Sequence, residues 1–265
     1  MKLLTTPSEC DWIAEGVAEM TNGTVAHCLP SIYPAYAKIF HPIYEDFSVQ
    51  DDQLTWQEED KAKDSGPEPK TETERALAEA LRGSTLVYGG ARPDARLVQV
   101  RWAELTRRLG MQFVPTLSAA SFTRQFPGGS WPRHLIGPDE GKLVGSERDA
   151  LVSVLRSHTD TDRILFRFWF LATTDWRGSD KVFEGTLDEA DLFPDEGLGV
   201  RCTPTHWFPE DRSWLVCSDY DLTFSLVGGS EHMVQQLLDH PALECVRVTS
   251  DTRVDWKADL ESTTH

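Results

Sequence analysis

The chain has 265 residues, 40% of them hydrophobic and 10% aromatic, with a net charge of −17 and a pI near 4.8. That is enough apolar material for a sizeable core in one large domain or two smaller ones. A surface this acidic repels DNA, RNA and anionic lipid, because each carries charge of the same sign, and it favours a basic partner.

No run approaches the roughly 20 apolar residues of a membrane helix. The opening "MKLLTTPSECDW" lacks the apolar core of a signal peptide, so a cytoplasmic location is expected. Cys10, Cys28, Cys202, Cys217 and Cys245 are odd in number, widely spaced and never form C-x-x-C. That pattern indicates no zinc knuckle or redox motif, and Cys217 and Cys245, in apolar strand-like runs, read as buried small hydrophobes.

"PSECDWIAEGVAEM" reads as a helix over 7–20, capped by Ser8 with Asp11 three residues on. "TVAHCLP" reads as a short strand, and "YPAYAKIFHPIY" alternates like one between prolines. From Asp51 the composition turns polar. Ten acidic and four basic side chains fall within 51–80, so most of the net charge still lies elsewhere. Residues 51–73 are expected to be an acidic mobile insertion within a single domain spanning 1–265. A short helix "RALAEALRG" should follow, behind Thr71 and Glu74 as a capping box.

"RLVQVRW" is a strand candidate, "AELTRRLG" a helix ending at Gly110, and "SAASFTRQF" a further helix. "PGGSWPRHLIGPDEGKLVGS" should be loop. "SERDALVSVLRSH" reads as a helix capped by Ser146, with Leu151, Val154 and Leu155 on one face. "ILFRFWFLA" is apolar on both faces, which places it inside a covered sheet. "WLVCS" and "LTFSLV" flank "DYD" as a hairpin. Gly228 and Gly229 then turn the chain into the helix "SEHMVQQLLDH", and "LECVRVT" is a last strand. Without a strict βαβ rhythm the pattern predicts an α+β fold, a mixed and mostly antiparallel sheet backed by helices.

At "YAKIFHP", "VRWAEL", "RSHTDTD" and "PEDRSWLVCSDYDLTFSLVGGS" the sequence resembles an uncharacterised group of actinobacterial intracellular proteins of similar length. The blocks are scattered from Tyr36 to Val248. The last is the most specific, with Pro209, Asp211, Arg212, Trp214, Asp219, Asp221, Gly228 and Gly229. The resemblance implies a bacterial cytoplasmic protein and no particular reaction.

"GPDEGKLVG" falls one residue short of a P-loop and carries Leu143 where Ser or Thr would hold Mg²⁺. Nucleophile-elbow, H-E-x-x-H and dinucleotide-binding motifs are missing, so no cofactor is expected. In "LVGGSEH" the charge of Glu231 opposes an anion at the helix start, which makes Gly228 and Gly229 a turn and Ser230 a cap. Asp219 and Asp221 share one face of a strand and could bind Mg²⁺ with help from Asp211, His206 or Asp175. The reading that turn chemistry favours is structural: they hold turn N–H groups, with Asp219 reaching Arg212 across the hairpin. His158 ends a helix before two Asp residues, as a favourable charge at the helix terminus or as a general base.

Two functions follow from different classes. The first is a non-enzymatic acidic binding protein, of the immunity or antitoxin kind, that covers a basic protein partner. Trp131, Trp176 and Trp207 lie in Gly- and Pro-rich loops and would be its contact anchors. The second is a metal-dependent enzyme acting on a phosphorylated or nucleotide substrate, with His206, Asp211, Asp219 and Asp221 as ligands and His158 as a further catalytic candidate.

Overall fold

The computed structural model describes residues 1–4, 7–18, 23–51, 54–58, 96–143, 145–169, 180–190, 203–255 and 258. The chain divides into two compact units, one made of Met1–His41, Phe113–Ser118 and Glu140–His265, the other of Pro42–Gln112 and Ala119–Asp139. The fold is α+β, and every strand pairing among the described residues is antiparallel.

The larger unit is built on an eight-stranded sheet. Its strands are β1 (Lys2–Leu3), β2 (Ala35–Phe40), β6 (Ile164–Phe168), β7 (Lys181–Gly185), β8 (His206–Pro209), β9 (Leu215–Cys217), β10 (Phe224–Gly229) and β11 (Cys245–Val248). They run in the order β1-β7-β6-β8-β9-β10-β2-β11. The run "ILFRF" is interior, as its two apolar faces predict. Ile164, Phe166 and Phe168 enter one core and Leu165 the other.

Two helices cover the first face, α5 (Gly145–Arg156) and α6 (Glu231–Asp239). Leu151, Val154 and Leu155 of α5 join Met233, Val234 and Leu237 of α6 over Phe166, Trp207, Val216 and Val227 of the sheet. Helix α6 starts where Ser230 Oγ accepts the Met233 N–H at 3.2 Å, the cap read from the sequence. Ser146 does not cap α5: the helix already includes Gly145, and the Ser146 hydroxyl donates to Glu147.

The second face is covered by the N-terminal segment. The expected helix over 7–20 is shorter: a 3₁₀ turn at Pro7–Cys10, then α1 (Asp11–Gly16), with Val17 extended. Neither Ser8 nor any other side chain caps α1. "TVAHCLP" is not a strand but a helical turn, α2 (Val25–Cys28). The Val25 and Ala26 N–H groups donate to Thr252 and Ser250 carbonyls at 2.9 Å, so distant backbone decides the conformation of this short apolar run. Ile13, Val25, Cys28 and Leu29 pack on Leu165, Phe208, Leu215, Cys217 and Leu226.

Gly228 and Gly229 do not form a turn. Both lie in β10 with no positive φ. A Cβ on Gly228 would meet the Tyr33 ring at 2.5 Å, so packing, not backbone conformation, requires glycine there.

The smaller unit holds β3 (Ile43–Asp46), β4 (Leu97–Val100) and β5 (Leu135–Ile136) in the order β4-β3-β5. Helices α3 (Trp102–Arg108) and α4 (Ala119–Thr123) belong to it. The Gly- and Pro-rich run expected as loop contributes β5, because Leu135 and Ile136 find Glu45 and Tyr44 as partners. Trp56 Nε1 donates to the Leu135 carbonyl at 2.7 Å, which docks 54–58 on this unit. The remainder of the acidic stretch through 95, including the expected helix "RALAEALRG", lies outside the described residues.

Candidate functional site

At one end of the large sheet the chain gathers polar groups. The β9–β10 hairpin carries Asp219, Tyr220 and Asp221 at its turn, as its sequence predicts. Asp219 Oδ1 accepts the Tyr220 N–H at 2.7 Å, and the Leu222 N–H closes the turn on the Asp219 carbonyl at 3.0 Å.

A second segment lies against this turn. The Gly141 N–H donates to the Leu222 carbonyl at 2.7 Å, and the Thr203 N–H and hydroxyl both donate to the Gly141 carbonyl at 2.9 Å. Gly141 has a φ of +59°, and a Cβ there would stand 2.5 Å from Tyr220 Cα. Only glycine allows this approach. The approach brings Glu140 to Asp221. The sequence reading passed over Glu140, seeing a failed P-loop around it. The signal was an acidic residue beside a glycine in a loop, and nothing local links 140 to 219.

Close packing changes the carboxyl groups. Desolvation, then the Asp221 charge, pushes Glu140 up to about 7. The same two causes push Asp219 up to about 6, against the opposing Tyr220 N–H, His27 and Arg167. Asp221 stands at the rim, exposed overall, yet its carboxyl is also raised by partial burial. Burial disfavours a charged carboxylate, and a like charge adds to that. Glu140 and Asp219, each facing the Asp221 charge, are thus both shifted toward neutral pH. They can hold protons there, or lose them to solvent when a cationic group docks and favours the carboxylate.

Beneath the turn runs a hydroxyl–imidazole chain. His41 Nε2 and Ser225 Oγ lie 2.9 Å apart, and Ser225 Oγ and Ser218 Oγ 2.6 Å apart. The resemblance to a nucleophile and its base ends at access: His41 and Ser225 are 0% exposed and Ser218 1%. No substrate reaches a hydroxyl sealed this way, so the chain satisfies buried polar groups between strands.

The proposed metal ligands do not converge. Among the described residues no three His, Cys, Asp or Glu side chains are grouped to hold a metal ion. His206 is buried on the second sheet face, with Nε2 bonded to the Cys28 carbonyl at 3.1 Å. Burial, then the Arg167 charge, pulls its imidazole down to about 3, so it is neutral. Asp211 sits in the turn after β8 and accepts the Ser213 N–H at 2.9 Å. Arg212 lies over the Trp12 ring, 4.9 Å from its centroid, and not against Asp219. His158 Nε2 meets Gln236 Oε1 at 2.8 Å and its ring packs edge-on to His232. That ties α5 to α6 and gives His158 a structural partner. Asp175 is outside the described residues.

The aromatic anchors fare likewise. Trp207 is 2% exposed, because its position in β8 points it into the core between Phe166 and Trp214. Trp131 is 5% exposed, packed on Phe122 and Phe126, with Nε1 donating to Thr123 Oγ1 at 2.9 Å. Neither offers a surface. Trp176 is outside the described residues.

Lys38 was also missed. In the middle of β2 it is 0% exposed, donating to the Leu117 and Pro115 carbonyls at 2.6 and 3.1 Å, with Nζ 4.0 Å from the Phe224 ring centroid. A buried ammonium needs such acceptors. They come from a segment some eighty residues away, which the strand pattern "AYAKIF" cannot reveal.

Comparison of the chain with protein-family models, with curated proteins and with solved structures finds no match in any of the three.

Proposed function

We propose that the protein is an acidic binding protein that covers a basic protein partner, in the manner of an immunity or antitoxin protein. The observation that carries this reading is the charge: 43 acidic against 26 basic side chains. Pairing removes many of the cations as independent positive centres. Arg163 alone meets Glu9, Glu184 and Glu210, Arg167 meets Asp180, and Arg108 meets Glu45 and Glu104. What remains is a surplus of carboxylates, which attracts a basic surface at long range and rejects acidic ones. With Trp131 and Trp207 in the core, short-range contacts fall to other residues, and Asp221, exposed at the hairpin rim, is an acidic group open to such a partner.

The test is capture of bacterial proteins on the immobilised chain at low salt, followed by rate measurements with the purified partner. The partner should be basic. Its association rate should fall about tenfold or more as salt rises from about 20 to about 200 mM, while the dissociation rate changes far less. An acidic partner or salt-independent association would overturn the reading. So would turnover of a small molecule that is lost on Asp219→Asn.

A further inference from the structure

On the second face of the large sheet, Arg167, His206 and Cys217 stand side by side on neighbouring strands, paired as Arg167↔His206 and His206↔Cys217. Helix α2 lies over this row. Its last residue, Cys28, takes the His206 Nε2 bond on its carbonyl and sets its side chain against the Cys217 thiol. Both cysteines are free thiols in the same core. They differ in access: Cys28 is 9% exposed and Cys217 1%. Cys245 packs against the opposite core, so it cannot compete. Cys10 shares the layer but stands near Arg167 and Asp180, at the other end of the row.

We propose that Cys28 and Cys217 are a peroxide-operated thiol–disulfide pair that fastens α2 to β9. The more accessible Cys28 reacts first. Its sulfur attacks one peroxide oxygen, the O–O bond breaks, and the second oxygen leaves as water with the thiol proton, giving a sulfenic acid. The Cys217 sulfur then attacks Cys28 sulfur. The S–O bond breaks, a second water leaves with the Cys217 proton, and an S–S bond remains. Two thiols are oxidised by two electrons and one peroxide is reduced to two waters. Access requires α2 to lift, and a four-residue helix opens locally at less cost than the strands below it. The Cys28 side chain, then burial, hold the Cys217 thiol well above its ordinary pKa, so it stays protonated while α2 is seated and becomes a nucleophile when α2 lifts and exposes it.

The experiment treats the full chain in native buffer with hydrogen peroxide and maps its peptides without reduction. The expected product is one crosslinked pair, Cys28 with Cys217, lighter by two hydrogens, with a raised melting temperature that a reductant reverses. In Cys217→Ser the reaction should stop at a Cys28 sulfenic acid that dimedone traps. In Cys28→Ser the Cys217 thiol should survive the same dose. The wild-type map decides even if a variant folds poorly. A crosslink between Cys28 and Cys10, or a Cys28 sulfenic acid that persists in the wild type, would overturn the proposal.

Discussion

Glu140 and Asp219 hold carboxyl groups whose folded pKa values exceed those of the unfolded chain. Between the two values the folded state binds more protons, so stability from these groups is present at low pH and is lost as pH rises through the folded value. For Glu140 that window runs from about 4.5 to about 7, and for Asp219 from about 3.8 to about 6. His206 acts in the other direction. Its depressed pKa costs stability as pH falls below its ordinary value of 6.5. A variant separates the contributions. Glu140→Gln should be more stable than the wild type at pH 8 by about 1 kcal/mol, after allowance for solvent screening. The advantage should fade by about pH 5, where the wild-type carboxyl is protonated. Paired melting curves across pH 5–8 measure this directly, and equal curves at every pH would refute it.

Also at this scale, the tryptophans show how composition misleads. Trp131 follows "PGGS" and Trp207 precedes "FPED", and both flanks resemble loop. The indole is large enough to reach a core from an irregular segment, and both do. Lys38 is the reverse case: a charged residue in a strand-like run, buried because carbonyls and rings from elsewhere surround it.

Among elements, those with strong local patterns were legible. The β9–β10 hairpin, α6 with its Ser230 cap, and the interior strand β6 all stand where the sequence puts them. Each has a pattern whose period matches the element and a boundary residue with a local mechanism. The four-residue run at α2 has neither, and its backbone partners lie more than two hundred residues away. Gly141 links elements in a way local pattern cannot show. Gly141→Ala adds a Cβ to a left-handed backbone, which disfavours it, and drives that Cβ into Tyr220 Cα. Strain and overpacking together should cost about 3 kcal/mol. Chemical denaturation checks the loss, and lowered carboxyl pKa values at Asp219 would show that the turn has opened. Gly110→Ala is the control, since it shares a positive φ but meets no atom within 4 Å.

For the whole molecule, charge is the dominant property. A net −17 repels itself, and added salt screens that repulsion. The melting temperature at pH 8 should therefore rise by a few degrees as NaCl goes from about 10 to about 150 mM. A fall would mean that ion pairs such as those of Arg163 outweigh the surplus. The sequence by itself determined this charge, the α+β class, and the order of the strongly patterned strands and helices. Composition and periodicity are local or additive, so they can be read along the chain. Tertiary structure decided which side chains meet. It gathered Glu140 with Asp221, set Cys28 on Cys217, dispersed the candidate metal ligands and sealed two tryptophans. Such meetings depend on strand register and on close approaches like that of Gly141, which connect residues far apart in the chain and leave no periodic trace in it.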